Sequence, residues 1–177
     1  GTFLWLSDFH LDPYFGQRSA VSNSGVDGHC SSNGTRSRSP FGIVGCDAPI
    51  SLIEETLGHI STNYEDDSET KFDFILITGD FVRHGTDQLD DPISETQSIL
   101  STLQGRIKQH FPNLPVIPVL GNNDVTPDYY LDVSVTKNNT LLDLFVAGLS
   151  DFLLDEEVLS FRHGGYFSRN ITTSNAT

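Results

Sequence analysis

Phe3-Leu4-Trp5-Leu6 is a short apolar run that ends at Ser7-Asp8, the pattern of a buried strand opening into a polar loop. A second run, Phe72 to Ile77, is nearly all apolar and β-branched or aromatic, and stops at Thr78-Gly79-Asp80. Apolar character that is continuous rather than alternating suits a parallel strand covered on both faces. A third run, Val116 to Leu120, leads into Gly121-Asn122-Asn123-Asp124, although Pro118 counts against it by removing a ladder donor. Two helical periods separate these runs. Asp47 reads as an N-cap with Pro49 in the first turn, and Ile50, Ile53, Leu57 and Ile60 share one face, which predicts a helix over 48–62. Ile99, Leu103, Ile107 and Phe111 recur at every fourth position and predict an amphipathic helix over 93–111, despite Gly105. The order strand, helix, strand, helix, strand predicts an α/β fold with a largely parallel sheet. Downstream, a helix over 140–154 and a strand over 164–168 are expected, with loops at 15–40 and 172–177.

A chain of 177 residues, 37% apolar and 19% charged, suits one folded core and is too apolar to be disordered. It has no apolar run long enough for a membrane-spanning helix, and no basic segment precedes the first strand, so any leader is expected to have been removed. Ten basic against 24 acidic residues give a net charge of −14, which excludes a grip on nucleic acid or an anionic membrane through bulk charge. The acidic runs at 65–69, 87–91 and 151–157 read as solvated surface. Cys30 and Cys46 lack CxxC spacing and read as a disulfide tying the loop near 15–46. Closing a loop of that size stabilises a fold by about 3 kcal/mol in the chain-entropy model. Sequons at Asn33, Asn138, Asn170 and Asn175 point with the disulfide to the secretory route.

Three predicted strand ends deliver Asp8-Phe9-His10, Gly79-Asp80 and Gly121-Asn122, and in a parallel α/β sheet such ends converge at one edge. Taken singly, each has an ordinary reading as a turn or cap residue. Together they assemble carboxylate, imidazole and amide donors suited to first-row metal ions, with glycines that let the loop backbones approach closely.

These segments, S-D-F-H at 7–10, T-G-D-F at 78–81 and G-N-N-D at 121–124, resemble the calcineurin-like metallophosphoesterases. C-D-A-P at 46–49 and G-D-F-V-R-H at 79–84 are similar to the acid sphingomyelinase-like branch. Within it, F-V-R-H combined with G-N-N-D most resembles the fungal-type vacuolar endopolyphosphatases. The resemblance spans roughly residues 2–170. It implies a layered sheet with flanking helices, of which residues 1–177 supply the N-terminal part of a single catalytic domain.

The resemblance also implies two divalent or trivalent ions (Zn, Mn, Fe or Co). Asp8 and His10 would bind one ion, Asp80 would bridge, and Asn122 would bind the second. The implied reaction is attack of metal-bound hydroxide on internal phosphoanhydride bonds of inorganic polyphosphate. The alternatives are a sphingomyelinase-like phosphodiesterase and a non-catalytic phosphate-binding scaffold. Asn123 stands where the family carries a histidine and is the second candidate catalytic residue beside His84, able to donate a hydrogen bond but not to shuttle a proton. His84, four residues after Asp80, takes the acid role in this reading. Arg83 is read as gripping phosphate, with Arg36 and Arg38 forming a positive lip. The family's later histidine ligands do not occur after residue 124, so a C-terminal fragment of the same precursor is expected to supply them. A homo-oligomer is compatible with this reading. The expected location is the vacuole lumen, with the extracellular space as the alternative.

Overall fold

The computed structural model describes residues 1–16, 39–65, 71–132, 134 and 138–173. Cys30, Asn33, Arg36, Arg38 and Asn175 therefore lie outside the described residues, and the disulfide, the basic lip and two of the sequons with them. Three strands, β1 (Phe3–Leu6), β2 (Phe74–Ile77) and β3 (Val116–Pro118), form a parallel sheet in the order β1-β2-β3. Phe3 is paired with Phe74 and Ile75 with Val116. Helices α1 (Ile50–Glu65) and α2 (Pro92–His110) make the crossovers, and α3 (Thr140–Gly148) and α4 (Asp155–Gly164) follow. Two crossovers that step in one direction across the sheet, right-handed as such units are, place both helices on the same face. Ile75, Ile77 and Val116 accordingly point into one core with Leu57 of α1, Ile99 and Leu103 of α2, Phe145 of α3 and Phe161 of α4. The opposite face carries Phe3 (45% exposed), Trp5 (66%) and Val119 (45%).

Local chemistry explains most element boundaries. Pro92 opens α2, and the Asp91 carboxylate caps it by accepting from Ser94 N at 3.1 Å, while Lys108 and His110 occupy its last turn. Pro118 is tolerated because Val119 N donates to Ile77 O at 2.8 Å, so the preceding nitrogen, which has no hydrogen to give, faces away from β2. Asn139 caps α3, its side-chain oxygen accepting from Leu141 N at 3.2 Å and Leu142 N at 3.4 Å. Asn139→Ala is expected to lower stability by about 1 kcal/mol, read as a reduced urea midpoint with unchanged slope.

Two downstream expectations are corrected. The helix expected over 140–154 ends at Gly148, with a single 3₁₀ turn at Ser150–Phe152 behind it. Gly148 lies against α2, where an added Cβ would stand 2.6 Å from Leu100 Cβ. In the acidic run at 151–157, Asp151, Asp155 and Glu156 are exposed while Glu157 is buried; Asp155, Glu156 and Glu157 fill the first turn of α4, and the Glu157 side chain accepts from Leu154 N at 2.8 Å. Residues 164–168 form no strand. Gly165, with φ 74°, caps α4 and turns the chain outward.

That outward segment is fixed by Arg169. Its Nε donates to Glu157 Oε1 at 2.7 Å, its NH1 to Val116 O at 3.0 Å and its NH2 to Phe152 O at 2.6 Å, so one guanidinium joins α4, β3 and the 3₁₀ turn. Burial alone would raise the Glu157 carboxyl, but the hydrogen bonds and charge of Arg169 and the Leu154 N–H outweigh it and hold it below the usual range. The stability this group adds is therefore present above its unfolded pKa of about 4.3 and is lost as the pH falls through its lower folded value. Urea titrations across the acid range should show this loss, and Glu157→Gln should flatten that part of the profile.

Candidate metal centre

The three strand ends meet because glycines let their backbones touch. A Cβ on Gly79 would lie 2.3 Å from Gly121 N, and one on Gly121 would lie 2.2 Å from Asp80 N. Asp124, 2% exposed, then ties the loops together. Its carboxylate accepts from Asp80 N (2.9 Å), Phe81 N (2.7 Å), Val82 N (3.0 Å) and Gly121 N (2.8 Å). Burial pushes its pKa up to about 6 against the pull of those donors. On the other side, His10 N donates to Asp80 O at 2.9 Å and Leu11 N to Phe81 O at 3.0 Å, which zips residues 8–11 onto the loop after β2. Asp8, His10 and Asp80 all adopt positive φ (57°, 39° and 55°). Non-glycine residues rarely hold that conformation, and where they do the strain commonly marks a functional loop.

The side chains of Asp8, His10 and Asp80 come together at this edge of the sheet. His10 Nε2 stands 3.8 Å from Asp8 Oδ1 and 3.9 Å from Asp80 Oδ2, too far for a hydrogen bond. Two ligand atoms about 2.1 Å from a shared ion lie at most about 4.2 Å apart, so these gaps are the width of an ion rather than of a direct contact. His10 Nδ1 lies 3.1 Å from Val82 O, and donating there leaves the Nε2 lone pair facing the carboxylates. The donor set fits a first-row ion. Asn122 is exposed beside it and uses its Nδ2 to donate to Asn123 Oδ1 at 2.6 Å, which leaves its own oxygen for coordination.

Asn123 itself does not reach the open side. It is 1% exposed, its N donates to Asp80 Oδ1 at 2.9 Å and its Nδ2 to Asp128 Oδ2 at 3.1 Å. The catalytic role expected of it is therefore corrected: its backbone N–H orients Asp80 and its side-chain oxygen orients Asn122. Arg83 is corrected in the same way. It is 4% exposed, with NH1 donating to buried Asp12 Oδ1 at 2.9 Å and Nε to His84 O at 3.2 Å, so its fork supports the loop from behind rather than gripping phosphate. Burial raises the Asp12 carboxyl, opposed by the Arg83 charge and the Tyr14 N–H.

His84 does face the opening, its side chain 51% exposed and its ring stacked on His10 with centroids 4.3 Å apart. Its partner is Asp47, which the sequence reading made a helix cap. The carboxylate is committed elsewhere, accepting from His84 N at 2.9 Å and lying 2.8 Å from His84 Nδ1, and α1 begins at Ile50. His10, Asp47 and His84 also have ligand atoms within 4.8 Å of one another. The two rings lie only 20° from parallel, so their in-plane lone pairs do not converge and the cluster is poorly shaped for one ion. Asn138 and Asn170, the two described sequon positions, are both exposed. Asp12 carried no sequence signal beyond its charge, Asp124 closes the G-N-N-D segment, and Asp47 stands in the C-D-A-P segment, where the local pattern pointed to a helix cap rather than to His84.

Residues 1–176 match the calcineurin-like phosphoesterase family. The chain is 32% identical over 184 residues to the cyclic GMP-AMP phosphodiesterase SMPDL3A of Bos taurus, an alignment covering 98% of this chain and 36% of that protein. It is 34% identical over 145 residues to the endopolyphosphatase of Saccharomyces cerevisiae, covering 72% of this chain and 20% of that protein. It is 29% identical over 187 residues to the endopolyphosphatase of Debaryomyces hansenii, covering 97% and 24%. The chain thus spans between a fifth and about a third of the length of these relatives.

Proposed function

Because the chain belongs to the calcineurin-like phosphoesterase family, we propose that it forms the N-terminal part of a dimetal phosphohydrolase that cleaves internal phosphoanhydride bonds of inorganic polyphosphate. The observation that carries this reading is the convergence of Asp8, His10 and Asp80 at ion-wide spacing on strained strand-end loops. In it, Asp8 and His10 hold one ion, Asp80 bridges and Asn122 completes the second site, with zinc, manganese, iron or cobalt as candidates. When bound, the pair supplies Lewis-acid polarisation of the phosphoryl group and activation of water. A bridging carboxylate offsets the mutual repulsion of two cations, and an amide oxygen adds a ligand without adding charge. His84 gives its proton to the departing oxygen, assistance that a phosphate leaving group needs less than an alkoxide does.

Polyphosphate is favoured by the F-V-R-H and G-N-N-D segments and by the fungal relatives named endopolyphosphatases. A second reading, hydrolysis of a nucleotide phosphodiester, is favoured by the SMPDL3A relative that aligns with 98% of the chain. In both readings the C-terminal part of the same polypeptide covers Phe3, Trp5 and Val119 and brings the remaining ligands. Parallel sheets are ordinarily covered on both faces, and the relatives are about three to four times as long as this chain. Secretory-route residence, in a vacuole lumen or outside the cell, is part of the proposal and rests on the sequons and the cysteine pair. No helix among the described residues is long and apolar enough to cross a membrane.

The test is to purify the protein with whatever polypeptide accompanies it and to measure metal content and cleavage of long-chain polyphosphate and a cyclic dinucleotide side by side. Mid-length polyphosphate products that disappear with a chelator support the first reading. Dinucleotide cleavage alone supports the second. Phosphate binding without turnover in the metal-loaded protein overturns both in favour of a binding scaffold.

A further inference from the structure

His84 is the exposed imidazole at the mouth of the site, and its plane is fixed from two sides. The Asp47 carboxylate grips it at two points, backbone N at 2.9 Å and ring Nδ1 at 2.8 Å, and the ring rests on His10. Asp47 is itself held in place. Ala48 N donates to His10 O at 3.0 Å and Asp12 N to Ala48 O at 2.9 Å, so the segment bearing the carboxylate is bridged to the strand end that carries Asp8 and His10. The Asp47 side chain is 13% exposed against 51% for His84, so the carboxylate lies behind the ring while the ring faces out. An imidazole with Nδ1–H given to a carboxylate presents Nε2 as its only working nitrogen.

We propose that Asp47 is a positioning residue that locks His84 in the Nδ1–H form, with Nε2 turned to the leaving oxygen. This inference rests on the proton-donor role of His84 proposed above. In the step it serves, the ring starts with a proton on each nitrogen: as the attacking water oxygen bonds to phosphorus, the bond from phosphorus to the leaving oxygen breaks, its electron pair stays on the departing oxygen and that oxygen takes the Nε2 proton. The imidazole is left neutral, with its Nδ1–H still on Asp47. The same contact makes the turn after Cys46 part of the proposed catalytic apparatus.

The experiment compares Asp47→Asn, His84→Gln and the double variant of the intact, metal-loaded protein on two probes. Bis(4-nitrophenyl) phosphate expels a phenolate that needs no proton, whereas a dinucleotide phosphodiester expels an alkoxide that does. Asparagine keeps the shape but turns an N–H toward Nδ1, which favours the wrong tautomer. Asp47→Asn is therefore expected to lower kcat on the dinucleotide about 10- to 100-fold at unchanged KM, to spare bis(4-nitrophenyl) phosphate, and to add nothing to His84→Gln. Equal slowing on both probes by Asp47→Asn, or additivity in the double variant, overturns the assignment of Asp47 while leaving that of His84 standing. Equal slowing on both probes by His84→Gln instead removes the proton-donor role, and this inference falls with it. Long-range ¹H–¹⁵N spectra of the zinc-loaded wild type provide a check that needs neither turnover nor a folded variant. A proton on Nδ1 of His84 is expected, and an imidazole protonated on Nε2 alone overturns the proposal.

Discussion

Asp80→Asn is expected to lower metal-dependent phosphohydrolysis by at least about a hundredfold, the upper end of what losing a residue that merely supports a ligand costs. The substitution leaves the local structure intact for reasons visible at the residue. Asp80 Oδ1 accepts from Asn123 N at 2.9 Å, which an asparagine oxygen can also do. Its φ of 55° lies in the left-handed region, which asparagine tolerates better than most residues. The backbone N–H of the residue is held by Asp124 whatever the side chain. What changes is the other oxygen, the one 3.9 Å from His10 Nε2, which becomes an N–H₂ with no lone pair and no charge. Metal content measured by inductively coupled plasma mass spectrometry should fall together with the rate, while the urea midpoint of the metal-free protein stays close to that of the wild type. A variant that keeps both metal and activity would place the chemistry elsewhere.

The contrast between Asp80 and its neighbours shows what the sequence could reveal. Strands announce themselves as apolar runs and the first two helices as four-residue periods, because burial of one face is written locally. Asp8, His10 and Asp80 follow, since a parallel sheet brings its strand ends together whatever the details of packing. α4 was hidden because its N-terminal charge looks like solvated surface, and only Phe161 and Glu157 of its side chains are buried. The roles of Asp47 and Arg83 were hidden for a different reason. Their partners lie 37 and 71 residues away, so whether a carboxylate caps a helix or holds a histidine depends on loops whose courses no local pattern encodes. Charge identifies a residue that must be paired if buried, but it does not name the partner.

Arg83 shows how much depends on that partner. Its guanidinium is 4% exposed, and Asp12, which accepts from NH1 at 2.9 Å, is 6% exposed. The guanidinium also lies over the Tyr14 ring, 5.9 Å from its centroid. Arg83→Met fills a similar volume but strands a carboxylate away from water, with the Tyr14 N–H at 2.9 Å the remaining donor among the described residues. Removing one partner of a buried ion pair costs about 3–5 kcal/mol. For a chain of this size that corresponds to a fall in melting temperature of roughly 6–20 °C. Arg83→Lys should rescue only part of this loss, since a point charge cannot reach Asp12 and the His84 carbonyl at once. Combining Arg83→Met with Asp12→Asn should recover most of it, because the stranded charge is then gone. A phosphate-gripping arginine would behave in the opposite way, with an unchanged melting temperature, a raised KM and no benefit from altering Asp12. Thermal melts of these three variants beside the wild type therefore separate the two roles without any knowledge of the substrate. Because Arg83 Nε also holds the carbonyl of His84, any activity lost by the folded single variant should appear in kcat, through a loosened imidazole, rather than in substrate affinity.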